Sequence, residues 1–136
     1  MTAKFPITIY HNPDCGTSRN ALAMIATAGY APAVIEYPKA GWTRALLDEL
    51  LAAMGAKPRD ILRAKGTPAA ELGLLEAEAS DDAILEAMVA YPILVNRPIV
   101  VTPKGTRLCR PSEAVLDLLD RDPGVFVKED GEVVRR

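Results

Sequence analysis

Sulfur and imidazole are scarce in this chain. Its 136 residues include two cysteines, Cys15 and Cys109, and one histidine, His11. Two cysteines do not make a disulfide framework. With one histidine, a zinc-type centre would need unusual ligands, and no metal is expected. No apolar run approaches the length of a membrane-spanning helix. The opening MTAKFPITIY is too short and too mixed to read as a secretory signal, so a cytoplasmic location is the expectation. Neither sign of charge dominates: 16 Lys and Arg stand against 18 Asp and Glu, a net charge of −2. That balance offers no electrostatic case for nucleic acid or an anionic membrane surface. Repeats and low-complexity runs are also missing. A length of 136 residues with 49% apolar content suits one domain, 1–136, with its own core.

What is present is organised around Ile7 to Asn20, ITIYHNPDCGTSRN. Ile7, Ile9 and Tyr10 supply β-branched and aromatic strand content. Asn12, Pro13 and Asp14 break the strand. After Gly16, Leu22, Ile25, Ala26 and Gly29 recur at helical spacing. Cys15 therefore falls at a helix N-terminus, where unpaired N–H groups and the positive end of the macrodipole favour negative charge. An ordinary cysteine is only about 3% thiolate at pH 7. A lowered pKa would make it a nucleophile, and the same donors would bind an oxyanion. The alternative is a small buried apolar residue, but Asn, Pro, Asp, Gly, Thr and Ser are loop company. Cys15-Gly16-Thr17-Ser18 has the layout of a redox C-x-x-C with serine at the second position. Serine cannot resolve a mixed disulfide, so turnover needs another thiol. Nor is this a C-x5-R phosphatase-type loop, because Arg19 comes too early.

Gly29 is placed to close the first helix. Ala33 to Tyr37 reads as a second strand, parallel to the first through a βαβ unit. Thr43 caps a helix bearing Leu46, Leu47, Leu50, Leu51 and Met54, and Gly55 ends it. Pro58 opens a short helical segment, and Thr67 to Gly73 is read as another helical turn. Ser80, Asp81 and Asp82 start a further helix. The stretch of about 43–91 thus reads as a helical insertion. Strand content returns at Ile93 to Val101, with Pro98 at the start of the strand. The turn Thr102 to Gly105 and the strand Thr106 to Cys109 complete a hairpin with a four-residue loop. A last helix begins at Arg110 to Glu113. The charged tail, 120–136, contains Asp130-Gly131 and is expected either to form a marginal hairpin or to fray. The order β-α-β, helical insert, β-β-α is that of an α/β, thioredoxin-like domain with a four-stranded mixed sheet. In that architecture the proline opening the third strand is usually cis and lies beside the reactive cysteine.

Binding an oxyanion calls for arginine, whose planar fork meets two oxygens at once. Arg97 precedes Pro98 and is placed near Cys15. Arg110, at the end of the hairpin, and Arg63, in the insert, are weaker candidates, since most arginines are solvated. His11 either tunes the loop or is a hydrogen-bonded structural residue. Ser18 either donates to the sulfur or caps the helix. Cys109, in a strand, is expected to be a buried structural thiol, and Lys65 and Lys104 are expected to be solvated.

Four segments carry a resemblance: HNPDCGTSRN (11–20), ILRAKG (61–66), PILVNRPIVVTPKGTRLCRPSE (92–113) and FVKEDGE (126–132). Together they resemble the glutathione- and glutaredoxin-coupled arsenate reductases, from about Ile7 to Glu132. The resemblance implies a thioredoxin-like (glutaredoxin-like) fold with Cys15 as the catalytic cysteine. It further implies His11 as the activating histidine, Ser18 as the helix-start serine, and Arg63, Arg97 and Arg110 as the oxyanion ligands. Asp14 stands where alanine is common, and its charge would oppose thiolate formation.

The implied reaction reduces arsenate to arsenite. Glutathione serves as cosubstrate, glutaredoxin as partner, and no cofactor is tightly bound. Two rivals share the fold. One is a general monothiol oxidoreductase acting on glutathione mixed disulfides, which needs Cys15 but not three arginines. The other is a non-enzymatic regulator that binds RNA polymerase.

Overall fold

The computed structural model describes residues 5–135. Residues 1–4, which open the MTAKFPITIY segment, and 136 lie outside them. The chain packs as two compact units: the described residues up to Glu36 together with those from Arg97 onward, and Tyr37–Asn96.

The first unit holds the sheet. Strand β1 (Thr8–His11) is followed by helix α1 (Gly16–Thr27) and strand β2 (Ala33–Glu36). Strands β1 and β2 pair in parallel, with Ile9 opposite Val34, as the βαβ reading requires. Strand β3 (Ile99–Thr102) runs antiparallel to β1, and β4 (Gly105–Leu108) antiparallel to β3. The order β2-β1-β3-β4 is the expected four-stranded mixed sheet of a thioredoxin-like fold. Its core joins Ile7, Ile9 and Val100 of the sheet side to Ala21, Met24 and Ile25 of α1. Removing such side chains from water is worth about 1.5–3 kcal/mol each. Helix α1 ends in a double closure, Gly29 N–H to Ala26 O (3.0 Å) and Tyr30 N–H to Ile25 O (3.2 Å). Gly29 has φ +99°, which a side chain would strain.

Several boundaries differ from expectation, each for a local reason. Strand β2 stops at Glu36, because Pro38 cannot donate to a ladder, and Tyr37–Ala40 forms a short helix, α2. The lead-in to β3 is a 3-10 turn at Pro92–Leu94, and β3 itself starts only after Pro98. The hairpin loop is two residues, Pro103 and Lys104, since Thr102 already pairs with Gly105. The last helix, Ser112–Leu118, is 3-10 rather than α. Buried Ser112, Val115 and Leu118 repeat every three residues, as do Leu116 and Leu119. At three residues per turn each set lies along one line. The tail forms the small hairpin, with β5 (Phe126–Val127) antiparallel to β6 (Val133–Val134).

The second unit is helical. Thr43 caps helix α3 (Arg44–Met54) by accepting from the Leu46 amide, and Gly55 ends it at φ 66°. Ser80 caps helix α4 (Asp81–Ala90) in the same way, accepting from Ala83. Leu47, Leu50, Leu51, Ile84, Leu85 and Met88 are buried, whereas Leu46 and Met54 are only half-buried. Arg44 ties α3 to α4 through Asp82 (2.9 Å) and Glu86 (2.7 Å). Pro58 opens a 3-10 turn to Ile61, whereas Thr67 to Gly73 is a chain of turns without a regular helix. Tyr37 is fully buried, and its hydroxyl donates to Val95 O at 2.8 Å. No helix among the described residues is long and apolar enough to cross a membrane.

Candidate active site

Strand β1 ends in a turn whose polar groups fold onto one another. The Cys15 amide donates to Asn12 O (3.0 Å), and the Asp14 amide to Asn12 Oδ1 (2.9 Å). The Asn12 amide donates to Ser18 Oγ at 3.1 Å, and that oxygen lies 2.6 Å from His11 Nδ1. His11 and Ser18 are both buried. Burial lowers the histidine pKa, with Arg19 adding to the effect and Glu36 opposing it, so the ring is neutral at pH 7. Ser18 Oγ thus joins the Asn12 amide to the imidazole, and its hydroxyl can serve Nδ1 as donor or as acceptor according to the ring tautomer.

Cys15 sits at the N-cap of α1 in extended conformation, φ −107° and ψ 122°, and its side chain makes no regular capping hydrogen bond. It is 6% exposed, buried enough for desolvation to matter. Desolvation is the largest influence on the sulfur and opposes ionisation. It is outweighed by the Ser18 amide, the Arg97 charge, and hydrogen bonding from Arg110 and Arg97, so the thiol pKa falls below its ordinary value. The Ser18 amide is the third of the helix, the group an N-cap side chain ordinarily engages.

The sheet explains why two arginines arrive together. Ile99 pairs with Leu108, and the ladder continues with Cys109 N–H donating to Pro98 O at 2.9 Å. One step further, Arg97 and Arg110 stand side by side, each directly before a cis proline, Pro98 and Pro111. Arg110 Nη1 donates to Arg97 O at 3.0 Å and lies 3.9 Å from Cys15 Sγ. Arg63 belongs to the second unit, where its Nε donates to Lys65 O at 2.9 Å and its amide to Leu94 O at 2.8 Å. Asp14 is exposed. Cys109 is fully buried, and burial pushes its thiol up to about 12. Lys65 and Lys104 are exposed, and Lys104 Nζ also donates to Leu119 O at 3.1 Å. Among the described residues, no cluster of three or more His, Cys, Asp or Glu could hold a metal ion.

The structure also brings Arg19 to this turn. Its Nη1 donates to Pro13 O at 2.7 Å, while Nε and Nη2 grip both oxygens of Glu129 at 2.8 and 3.0 Å. Sequence reasoning passed over this group. The signal within reach was the fixed place of Arg19 one turn after Cys15 on a helix.

Taken together, a thiol with lowered pKa, a helix N-terminus and two guanidinium groups form a site suited to nucleophilic attack on an oxyanion. The chain is also similar to known proteins. The chain is 65% identical over 129 residues to the arsenate reductase ArsI2 of Synechocystis sp., covering 94% of this chain and 92% of the relative. It is 59% identical to the arsenate reductase of Rhizobium meliloti and 55% to that of Escherichia coli strain K12, with the same coverage of both chains. The solved arsenate reductase of Vibrio cholerae superposes with a TM-score of 0.81 at 38% identity, covering 86% of this chain and 100% of that one. Residues 10–118 match the model of the ArsC family, and the chain belongs to that family.

Proposed function

We propose that this protein reduces arsenate to arsenite, with Cys15 as the nucleophile. The observation that carries the reading is the convergence of Arg97, Arg110 and the Ser18 amide on the sulfur, which lowers the thiol pKa. Cys15 thiolate attacks arsenic(V), an S–As bond forms, and an oxygen leaves as hydroxide or water. Arg97 and Arg110 neutralise the oxyanion and the charge that builds on it. For Arg63 the support for the same role is the matching ILRAKG motif. Glutathione then attacks the cysteine–arsenic adduct. The S–As electron pair stays with arsenic, which becomes trivalent, and a Cys15–glutathione disulfide forms. Glutaredoxin reduces that disulfide. External thiols are needed because Ser18 stands where a resolving cysteine would be.

His11 and Ser18 hold the turn from which Cys15 reacts. The hydroxyl links the Asn12 amide to the imidazole and so ties the loop to the ring.

The test is NADPH-linked arsenate turnover in the presence of glutathione, glutaredoxin and glutathione reductase. Cys15→Ser is expected to abolish it, and full retention would sink the assignment. Arg97→Ala separates this reading from a general monothiol oxidoreductase: arsenate turnover is expected to collapse while cleavage of a glutathione mixed disulfide stays nearly intact.

A further inference from the structure

The Arg19–Glu129 pair spans 110 residues and ends on the nucleophile's own loop. Arg19 uses all three faces of its guanidinium. One nitrogen holds the Pro13 carbonyl, and the other two hold the Glu129 carboxylate side-on. The pair lies over the first residue of α1: a Cβ on Gly16 would sit 3.6 Å from Glu129 Oε1 and 3.7 Å from Arg19 Nη2. Glu129 is itself fixed. Its amide donates to Asn20 Oδ1 at 3.0 Å, and its neighbour Lys128 pairs with Glu113 at 2.7 Å. The Lys128 side chain is only 9% exposed, so the tail hairpin is anchored at that point. Hydrogen bonds on either side of Pro13 also run inward, from the Asn12 and Cys15 amides. Arg19 adds the restraint on the carbonyl between them.

We propose that Arg19 is a positioning residue for the Cys15 reaction: held by Glu129 of the tail hairpin, it fixes the Pro13 carbonyl and thereby the turn that presents the sulfur. This rests on the reading of Cys15 as the nucleophile. Both side chains are near half exposed, at 43% and 48%, so as an ion pair they add little to folding stability. The effect is therefore expected in the geometry of attack and not in the melting temperature. Misplacing a reacting group by about 1 Å is enough to cost up to about 100-fold in rate.

The experiment compares Arg19→Ala, Arg19→Lys, Glu129→Gln and the Arg19→Ala/Glu129→Gln double variant with wild type and Cys15→Ser. Three readouts are taken: kcat and KM for arsenate in the coupled assay, the alkylation rate of fully ionised Cys15 by iodoacetamide, and thermal melting. Arg19→Ala is expected to lower kcat and the alkylation rate about tenfold, with KM for arsenate within about twofold, since the Arg19 guanidinium is engaged by Pro13 and Glu129. Arg19→Lys is expected not to restore kcat, because an ammonium cannot span Pro13 and both oxygens of Glu129. Glu129→Gln should fall between wild type and Arg19→Ala, and the double variant should match Arg19→Ala, because Glu129 acts through Arg19. The inference is overturned if Arg19→Ala keeps kcat within about twofold, if Arg19→Lys restores it, or if the two losses multiply. It is also overturned if kcat falls only in step with melting. These outcomes are separate from the fate of the nucleophile itself. Retained turnover in Cys15→Ser sinks the proposed mechanism, whereas inert Arg19 variants beside a dead Cys15→Ser sink only the positioning role.

Discussion

Replacing Arg110 with alanine should raise the pKa of Cys15 by an amount that follows from the distance. Arg110 Nη1 lies 3.9 Å from the sulfur, where a pair of unit charges is worth about 1 kcal/mol in bulk water and about 4 kcal/mol at an effective dielectric of about 20. Arg110 is exposed, so the lower part of that range applies. A loss of about 1–2 kcal/mol corresponds to a rise of about one pH unit. The desolvation that opposes the thiolate is left in place, and the Ser18 amide and Arg97 remain to offset it. Removing Arg110 also frees the Arg97 carbonyl it holds at 3.0 Å, which loosens the second cation and adds to the rise.

The assay is the rate of alkylation by iodoacetamide against pH, a neutral probe whose rate tracks the thiolate fraction without attraction to the arginines. Cys109 does not interfere, because burial pushes its thiol up to about 12. Wild type should titrate below the ordinary thiol value, Arg110→Ala about one pH unit higher, and Arg110→Lys in between. The linked stability has a definite sign. A depressed folded-state pKa contributes stability that is complete above the unfolded thiol pKa and is lost as pH falls through the folded value. The stability difference between wild type and Cys15→Ser should therefore shrink on acidification through that window. An unchanged alkylation midpoint in Arg110→Ala would refute the electrostatic account of the thiolate.

Three further outcomes are expected. Burial keeps His11 neutral, so its folded pKa lies below the unfolded one; stability should decline as pH drops below about 6.5 and level off below the folded value. His11→Gln should flatten that decline in thermal melts across the same range. Cys109→Ala should leave arsenate turnover within about twofold while lowering stability by about 1–2 kcal/mol in urea titration, because the thiol only fills the core. Leu118→Ala should cost about 2–4 kcal/mol by the same measurement, since it removes one of three side chains buried along a single line of the 3-10 helix.

What could be read in advance was mostly what the chain writes locally. The β1–turn–α1 unit, the place of Cys15 at the helix start and the parallel partner strand follow from contiguous residues, with Asn12, Pro13 and Gly29 as punctuation. Arg97 was legible because Pro98 marks where β3 begins, and the arginine beside it inherits that position. Arg110 was less so: its place depends on a hairpin register, and the two-residue loop is set by the pairing of Thr102 with Gly105 and not by the turn residues alone. The 3-10 geometry of Ser112–Leu118 was hidden because Ser112, Val115, Leu116, Leu118 and Leu119 satisfy both an i,i+3 and an i,i+4 reading. Arg63 was singled out by family likeness, since an arginine in a helical insert carries no chemistry of its own. Arg19 and Glu129 lie at the far end of this scale. Nothing within 110 residues of chain marks one as the partner of the other, and an exposed arginine on a helix is ordinary. Pairing of that kind is set by the docking of the tail hairpin through Lys128 and Asn20, a tertiary outcome that local pattern does not encode. Backbone punctuation thus reveals where the cysteine turn is placed, while the side chains that bind that turn come from wherever the fold happens to return.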